Sequence, residues 1–187
     1  MMLTRSFVIA GLAAVALAVT PQTSQSQTAP AAPQAKPAPA SPPGQASAKI
    51  GAATISIDYA RPSMKGRKIM GGLVPYDKVW RTGANAATTL KTDAAITIGG
   101  AEVPAGTYTI YSLPGEKAWK LIVNKQTGQW GTQYDQAQDL ARVDLKVETL
   151  PQPLELFTIT LVATGANAGQ MVLEWENTRL IAPITVK

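Results

Sequence analysis

Short segments of alternating apolar and polar residues run through most of the chain and constrain its fold more than any other feature. Ile55, Ile57 and Tyr59 alternate with polar neighbours, which is the pattern of a half-buried strand. Similar segments recur about every 8 to 14 residues between turn signals, and no long helical pattern separates them. We therefore expect an all-β domain of about nine short antiparallel strands, arranged as a β-sandwich or, alternatively, as a small barrel.

The same pattern gives approximate limits for the later strands. Gly99 and Gly100 form a two-residue hairpin signal, and residues 135–140 allow one helical turn at most. Pro183 falls within the last segment, so we expect that strand at a sheet edge, where a missing N–H is harmless. The expected strands after Tyr59 cover residues 88–92, 94–98, 107–113, 119–124, 142–150, 154–163, 170–176 and 179–186.

Two residue types are missing from the chain, and their absence excludes several chemistries. The sequence contains no Cys and no His. Disulfides, thiolate nucleophiles, zinc ribbons and imidazole catalysis are therefore excluded, and so is a lipid anchor on a cysteine. We expect no metal site and no cofactor. Any catalysis would depend on carboxylates, Lys, Tyr or Ser, so we lean towards a protein that is not an enzyme.

The N-terminal residues 1–20 have the features of a secretory signal peptide. Arg5 precedes an apolar run of 13 residues at 7–19, and Ala16 to Ala18 supply a small-x-small cleavage pattern. The run is shorter than the roughly 20 residues of a membrane helix, and a lone Arg does not suit the twin-arginine route. We expect Sec-type export to the periplasm or the medium, with no membrane span after cleavage. The alternative is an anchoring N-terminal helix.

Residues 21–47 are rich in Pro, Ala and Gln and carry almost no apolar bulk. This composition predicts a disordered spacer, either a tether or a passive tail. Residues 48–187 then form a single all-β domain, which is long enough to bury a core without a disulfide or a metal. The prolines that deny the spacer regular structure are Pro30, Pro33, Pro37, Pro39, Pro42 and Pro43.

The positive charge of the chain is concentrated between residues 61 and 81. This segment holds six cations and one acid, Asp77, whereas the rest of the chain has 11 basic and 11 acidic residues. Arg61 is in phase with the apolar residues of its strand, so we expect its guanidinium to need a carboxylate or a bound anion. Glycine-rich connections on a β scaffold are where binding usually occurs. The alternative to a binding role is a solvent-exposed loop whose cations form a few internal salt bridges.

The same region carries the motifs by which the chain resembles a known family. They are Arg61-Pro62-Ser63, Lys65 to Ile69, Gly71 to Tyr76 and Lys78 to Asn85, followed by Pro104 to Tyr108, Trp130-Gly131 and Leu173 to Glu176. The chain resembles the domain-of-unknown-function family numbered 2911 over roughly residues 50–187. The resemblance implies a secreted or envelope protein and no established activity. After Asn85 the family pattern usually has Glu where this chain has Ala86, and this departure weakens a catalytic interpretation.

Three functional hypotheses follow. The first is a non-catalytic binding or envelope-associated module that holds an anionic or polyhydroxylated ligand, or an envelope component, with Tyr76 or Trp80 as a stacking face. The second is a hydrolase of envelope polymers that acts through carboxylates such as Asp58, Asp77 or Glu174. The third is a structural protein that docks a partner. Nucleic acid is not expected, because the basic residues are few. The candidate ligand-binding residues are Arg61, Ser63, Lys65, Arg67, Tyr76, Trp80, Arg81 and Asn85.

Two further groups are interpreted as parts of the scaffold. Glu174 and Glu176 lie two apart on one strand, at a spacing that a pair of catalytic carboxylates could use, but they alternate with apolar residues as any solvent-facing pair does. Trp119 and Trp175 are in phase with aliphatic residues and are expected in the core. Trp80 could be either core or ligand platform. Trp130 and Tyr134 fall in or near loops, where exposed aromatic rings beside Arg and Asn would suit the stacking of sugars or bases.

Overall fold

The computed structural model describes residues 41–187, and these residues form an all-β domain with one turn of 3₁₀ helix at Gln136–Gln138. The expected signal peptide at 1–20 and most of the expected spacer lie outside the described residues. The nine strands are β1 Pro43–Ile50, β2 Ala53–Ala60, β3 Thr88–Thr92, β4 Ile96–Ile98, β5 Ala101–Val103, β6 Gly106–Leu113, β7 Trp119–Asn124, β8 Asp139–Ala163 and β9 Ala168–Val186.

All strand pairs are antiparallel, in the order β1-β2-β3-β6-β7-β8-β9-β4-β5. The long strand β8 joins the two halves, because its first residues pair with β7 and the remainder pair with β9. The first strand, β1, contacts β8 and β9, so the two halves of the sheet face one another. The expected all-β, sandwich-like class is confirmed.

The core lies between these halves and follows the alternation seen in the sequence. Ile55 and Ile57 of β2 are fully buried, and Tyr59 at the end of the same face is 8% exposed. The Tyr59 hydroxyl accepts a hydrogen bond from the Ile159 amide at 2.8 Å and lies 3.3 Å from the Ile159 carbonyl oxygen. This pair ties β2 to β8 across the core, which satisfies the polar atoms that would otherwise be buried alone.

The start of the domain differs from the sequence-based limit at Ala48. Strand β1 begins at Pro43, so residues 43–47 lie in the sheet and not in a spacer. Their composition hid this strand, because Pro and small residues are typical of disorder. The structure accommodates them because β1 is an edge strand, where the missing N–H of Pro43 leaves no ladder bond unmade, and because Ala46 packs into the core.

The last strand is not at an edge, so that expectation is wrong. Strand β9 lies between β8 and β4, and Pro183 falls between Ile181, the last residue paired with β8, and Ile184, the first paired with β4. The Pro183 carbonyl accepts from Gly99 at the hairpin turn between β4 and β5. The expected turn is present, with φ of 56° at Gly99 and 88° at Gly100. At Pro183, strand β9 passes from pairing with β8 to pairing with β4. The proline is tolerated there because it is paired with neither strand and its missing N–H leaves no ladder bond unmade.

Strands β8 and β9 are longer than expected because each joins two of the predicted segments. The β8–β9 register shifts between Thr149 and Leu154, around Pro151 and Pro153, and shifts again before Thr158. At the same point of β9, Glu176 has a positive φ of 52°. This irregular stretch of the ladder, residues 150–158 of β8 with Trp175 and Glu176 of β9, is called the ladder break below. It is where the connection between β2 and β3 docks.

Candidate functional site

The connection between β2 and β3, residues 61–87, carries the concentrated charge and is called the basic loop. Although it has no named strand, the loop is fixed to the sheet at several points. Ser63 forms an isolated bridge with Leu156 at the ladder break, Trp80 forms one with Ser112 of β6, and Ala86 forms one with Trp130. These attachments hold the basic loop in a fixed position against the sheet.

Two carboxylates of the ladder break hold the loop by its backbone. Glu155 accepts from the Lys65 amide at 2.9 Å through its side chain, and its carbonyl accepts from the Met64 amide at 2.9 Å. Glu176 accepts from the amides of Ile69 and Met70 at 3.1 and 3.0 Å. Hydrogen bonds to a charged acceptor are stronger than neutral ones, so these acids stabilise a loop that would otherwise leave amides unpaired.

The loop backbone adopts conformations that L-residues rarely take. Among residues 41–187, five non-glycine residues have a positive φ, and four of them, Lys65, Asp77, Thr82 and Asn85, belong to the basic loop. The fifth is Glu176, which binds it. Thr82 is β-branched and fully buried at φ 52°, and its Oγ1 lies 3.0 Å from Ser112 Oγ. Such strain is found where the surroundings impose a geometry, often at functional sites.

The cations of the basic loop are not neutralised within the described part of the chain. Seven ion pairs form among residues 41–187, and none of them includes a cation of this loop. Arg67 instead donates to the carbonyls of Met64 and Ser63, and Arg81 donates to the carbonyl of Asn85. These acceptors orient the guanidinium groups but do not cancel their charge.

Arg61 differs from the other cations because its guanidinium is used by the scaffold. Its Nε donates to the Phe157 carbonyl at 3.1 Å and its Nη2 donates to the Thr158 hydroxyl at 2.9 Å. Its alkyl chain lies where a side chain at Gly44 would clash, with Cδ 2.7 Å from the ideal Cβ position. Within residues 41–187 the partners of this guanidinium are thus two neutral oxygens of β8 and not the carboxylate that was one of the two expected partners.

Five of the eight candidate residues line one groove of about 330 Å³ at the surface of the basic loop. Leu73, 47% exposed, also lines the groove. Although other polar residues contribute, no carboxylate side chain from residues 41–187 lines this groove. The candidate residues brought together are Ser63, Lys65, Arg67, Trp80 and Arg81.

The two aromatic candidates are engaged in packing. Trp80 stacks on Trp175 with ring centroids 5.7 Å apart, and it meets Phe157 edge to face at 5.0 Å. Tyr76 is half-buried against the core and covers Gly71, where an ideal Cβ would lie 2.7 Å from its ring. One face of Trp80 is thus occupied by the core, and Trp119 and Trp175 are buried as expected.

Asn85 lies beside the groove and not in it. It lines a neighbouring concavity of about 390 Å³ together with Asp58, Ala86 and Thr89, and Ala84 lines both concavities. Asn85 has a φ of 60°, and its carbonyl accepts from Arg81 and from the Gly131 amide at 3.1 Å. This residue therefore links the basic loop to Trp130 and Gly131, which were not among the candidates.

Two of the three carboxylates weighed for a hydrolase, Asp58 and Glu174, lie apart and have partners, and the third, Asp77, lies in the basic loop. Asp58 accepts from Gln45 and pairs with Lys91 at 3.4 Å, while Glu174 pairs with Arg179 at 2.6 Å. Glu176 binds loop amides, so it is not simply the solvent-facing partner of Glu174 that the alternation suggested. Among the described residues there is no cluster of three acidic side chains suited to a metal, and no helix suited to crossing a membrane.

A second polar cluster supports the loop between β7 and β8. The fully buried Asn124 donates to the Asp135 carbonyl and to Asp139, both at 2.8 Å, and its side-chain oxygen accepts from the Gln126 amide. Tyr134 donates to Asp139 at 2.7 Å. Burial, helped by this hydrogen bond and by the negative charge of Asp139, raises the pKa of Tyr134 to about 12. These bonds hold the loop that carries Trp130.

Comparison with known proteins gives one relationship. No curated protein and no solved structure matches the chain. Residues 41–184 match the family described as "Protein of unknown function (DUF2911)", and this range covers β1 to β8, all but the last two residues of β9, and the basic loop. The match begins two residues before β1, in agreement with a domain that starts earlier than Ala48. The chain belongs to the DUF2911 family.

Proposed function

We propose that this domain is an exported binding module that captures an anionic ligand in the groove of the basic loop, with Lys65, Arg67 and Arg81 as charge-assisted donors. The single observation that carries the proposal is the electrostatic imbalance of that groove. Three cations line one concavity with no carboxylate from residues 41–187 among its lining and none of them in an ion pair. Export rests on the signal-peptide features of residues 1–20.

The imbalance has an energetic consequence. Like charges around a concavity repel one another, and low-dielectric walls concentrate their field. An anion in the groove removes this repulsion and gains charge-assisted hydrogen bonds, which are about twice as strong as neutral ones. Arg67 and Arg81 are already oriented by backbone carbonyls, so less side-chain entropy is lost when they bind.

The packing of the loop further supports a binding role. The amides of Lys65, Ile69 and Met70 are held by acids of the ladder break, so the groove exists before a ligand arrives. Binding sites are usually such preformed concavities with a few placed polar groups. The carboxylates of the hydrolase hypothesis lie apart from the groove, since Asp58 lines the neighbouring concavity and Glu174 lines others beside Arg179.

The test is calorimetric titration of the full chain with tripolyphosphate, a compact polyanion that can meet three cations. We expect saturable binding in the wild type that weakens by at least about tenfold in the double variant Lys65→Gln/Arg81→Gln, because two charge-assisted contacts are lost. Binding should also weaken as salt is raised. The thermal midpoint of each variant shows whether the loop remains folded.

Lys49→Gln is the control for non-specific charge loss, because it removes one positive charge at an exposed position elsewhere and is compared with the single variant Lys65→Gln as well as with the double variant. Lys49 lies six residues beyond Pro43 in β1, about 20 Å along the strand, at the opposite end from Ser41 of the groove. It should leave tripolyphosphate binding unchanged. Equal weakening in the control and the double variant, or no saturable binding by the wild type, would overturn the proposed function.

A further inference from the structure

One indole of this domain is presented to solvent beside the proposed site. Of the four tryptophans in the chain, Trp119 and Trp175 are buried and Trp80 stacks on Trp175, whereas Trp130 is 52% exposed. A large aromatic side chain at this exposure leaves apolar ring surface in water that a ligand could cover. Its neighbours in the sequence are polar or small, so it does not belong to a broad apolar patch.

The backbone around Trp130 is fixed. The Trp130 amide donates to the Gln133 side chain at 3.2 Å, and its carbonyl accepts from the Gln133 amide at 2.9 Å. The bridge to Ala86 and the Asn124 cluster hold the two sides of the same loop. An exposed ring on a fixed backbone loses little conformational entropy when a ligand covers it.

Trp130 is also adjacent to a cation of the groove. The next residue, Gly131, packs directly against Arg81, and an ideal Cβ there would lie 2.5 Å from Arg81 Cδ. Only glycine allows this approach. Gly131 and Arg81 further share the carbonyl of Asn85 as acceptor. The backbone that carries the indole therefore packs against the side chain of Arg81, so Trp130 is next to a cation of the groove without lining the groove itself.

We infer that Trp130 is the stacking platform of the ligand site and that the ligand is an acidic saccharide, a chain of sugar rings that carry carboxylates. This inference rests on the proposed function and names its ligand class. A pyranose presents a face of C–H groups that suits the electron-rich face of an indole. The carboxylate of a neighbouring ring reaches the cations at Arg81, Lys65 and Arg67. A simple inorganic anion uses the cations and leaves Trp130 uncovered.

Three probes separate ring stacking from charge. Hexagalacturonate carries both rings and carboxylates, maltohexaose carries rings of the same number without charge, and tripolyphosphate carries charge without rings. For the wild type we expect hexagalacturonate to bind and to cause an emission shift that Trp130→Phe lacks. Tripolyphosphate should bind and cause the same emission change in the wild type and in Trp130→Phe, because the only indole of the described residues that lines the groove is Trp80. Maltohexaose should bind at least about tenfold more weakly than hexagalacturonate.

The variants assign the effect to the ring. Trp130→Ala should weaken hexagalacturonate binding about tenfold, as removal of an aromatic anchor does, and leave tripolyphosphate binding unchanged. Trp130→Phe retains an aromatic face and should retain most of the affinity. Because Trp130 is exposed, both variants should keep the thermal midpoint of the wild type, and Trp130→Phe remains informative if the alanine variant is less stable.

Three kinds of failure are distinguishable. If Trp130→Ala binds hexagalacturonate as the wild type does, while Lys65→Gln/Arg81→Gln still loses tripolyphosphate, the stacking inference is wrong and the anion site stands. If maltohexaose binds as well as hexagalacturonate, the charged groove is not the basis of recognition. If neither charged probe binds, the inference and the proposed function are both overturned.

Discussion

The basic loop and the ladder of β7, β8 and β9 differ in whether their cations are paired with carboxylates. In the ladder, four cations have a carboxylate partner on the same or a neighbouring strand. These pairs are Lys120 with Asp144, Arg142 with Asp139, Lys146 with Glu148, and Arg179 with Glu174. Within residues 41–187, the cations of the basic loop have none. Only the pair of Lys120 with Asp144 joins facing residues of two strands, and the other three lie within one strand, so the ladder charges are balanced locally within the scaffold.

Two acidic residues of the ladder contact the basic loop without forming ion pairs with its cations. Glu155 and Glu176 lie at the ladder break, close enough to bind the loop, yet they accept from the amides of Lys65, Ile69 and Met70 and form no ion pair with its cations. The loop is therefore held by its backbone while the groove keeps its charge. Within residues 41–187, the cations of this loop other than Arg61 contribute neither an ion pair nor a side-chain hydrogen bond to the sheet.

The largest expected effect concerns these backbone contacts. Glu176→Ala removes the acceptor of two loop amides and should lower the free energy of unfolding by about 3 kcal/mol, since hydrogen bonds to charged groups are among the stronger ones. Glu148→Ala is the matched control in the same ladder, because it removes a carboxylate that pairs only with exposed cations. Urea unfolding should show a much smaller loss for the control, and equal losses would break the comparison.

The next effect separates Arg61 from the other loop cations. Arg61→Ala removes two hydrogen bonds to β8 and a packed alkyl chain, and should cost about 2 kcal/mol in urea unfolding. Arg61→Lys keeps the charge but not the fork of donors, so it should recover only part of that loss. Full recovery by lysine would show that the charge of Arg61, and not its hydrogen bonds, matters.

The strands were predictable where their pattern is local. Alternation at Ile55, Ile57 and Tyr59 gave β2, and Gly99-Gly100 gave the hairpin between β4 and β5. Strand β1 was not predicted, because Pro43 and the small residues after it are typical of disorder, and only pairing with β2 shows that they fit an edge strand. Likewise Pro151 and Pro153 suggested two strands where one continues through a register shift.

The sequence predicted which cations of the candidate site lie together, but not which of them bind the scaffold and which face the groove. Lys65, Arg67 and Arg81 were singled out from their density in the sequence, and they line one groove. The partners that decide the role of each residue lie far along the chain: Phe157 is 96 residues from Arg61, and Glu176 is 106 residues from Met70. No local pattern reports such contacts, which depend on how β8 and β9 fold back over the loop.

A smaller effect should have opposite signs in the two regions. Lys65→Gln/Lys68→Gln removes exposed like charges from the basic loop, so at low salt it should raise the free energy of unfolding by a few tenths of a kcal/mol. Lys120→Gln removes a charge that is paired with Asp144 and should lower it. Added salt screens both effects. Urea midpoints at low and high salt test this, and a loss of stability in the loop variant would mean that its lysines have counter-charges.

The remaining effect is confined to alkaline pH and concerns Tyr134, in the loop between β7 and β8. The unfolded pKa of Tyr134 is near 10 and its folded pKa is raised to about 12, first by burial and then by Asp139. Its contribution to stability is complete below about pH 10 and is lost as the pH rises through about 12. Tyr134→Phe should flatten the decline of unfolding free energy over this interval. An unchanged slope would show that Tyr134 is not the titrating group.

The most direct test of the central claim is to locate where an anion binds. Amide and guanidinium Nε resonances of the full chain are followed by NMR during titration with tripolyphosphate. We predict saturable shifts confined to the groove, at the Nε of Arg67 and Arg81 and at the amides of Ser63, Lys65 and Ala84, with no change at Lys49. Shifts of similar size at exposed lysines throughout the sheet, without saturation at the groove, would contradict the claim.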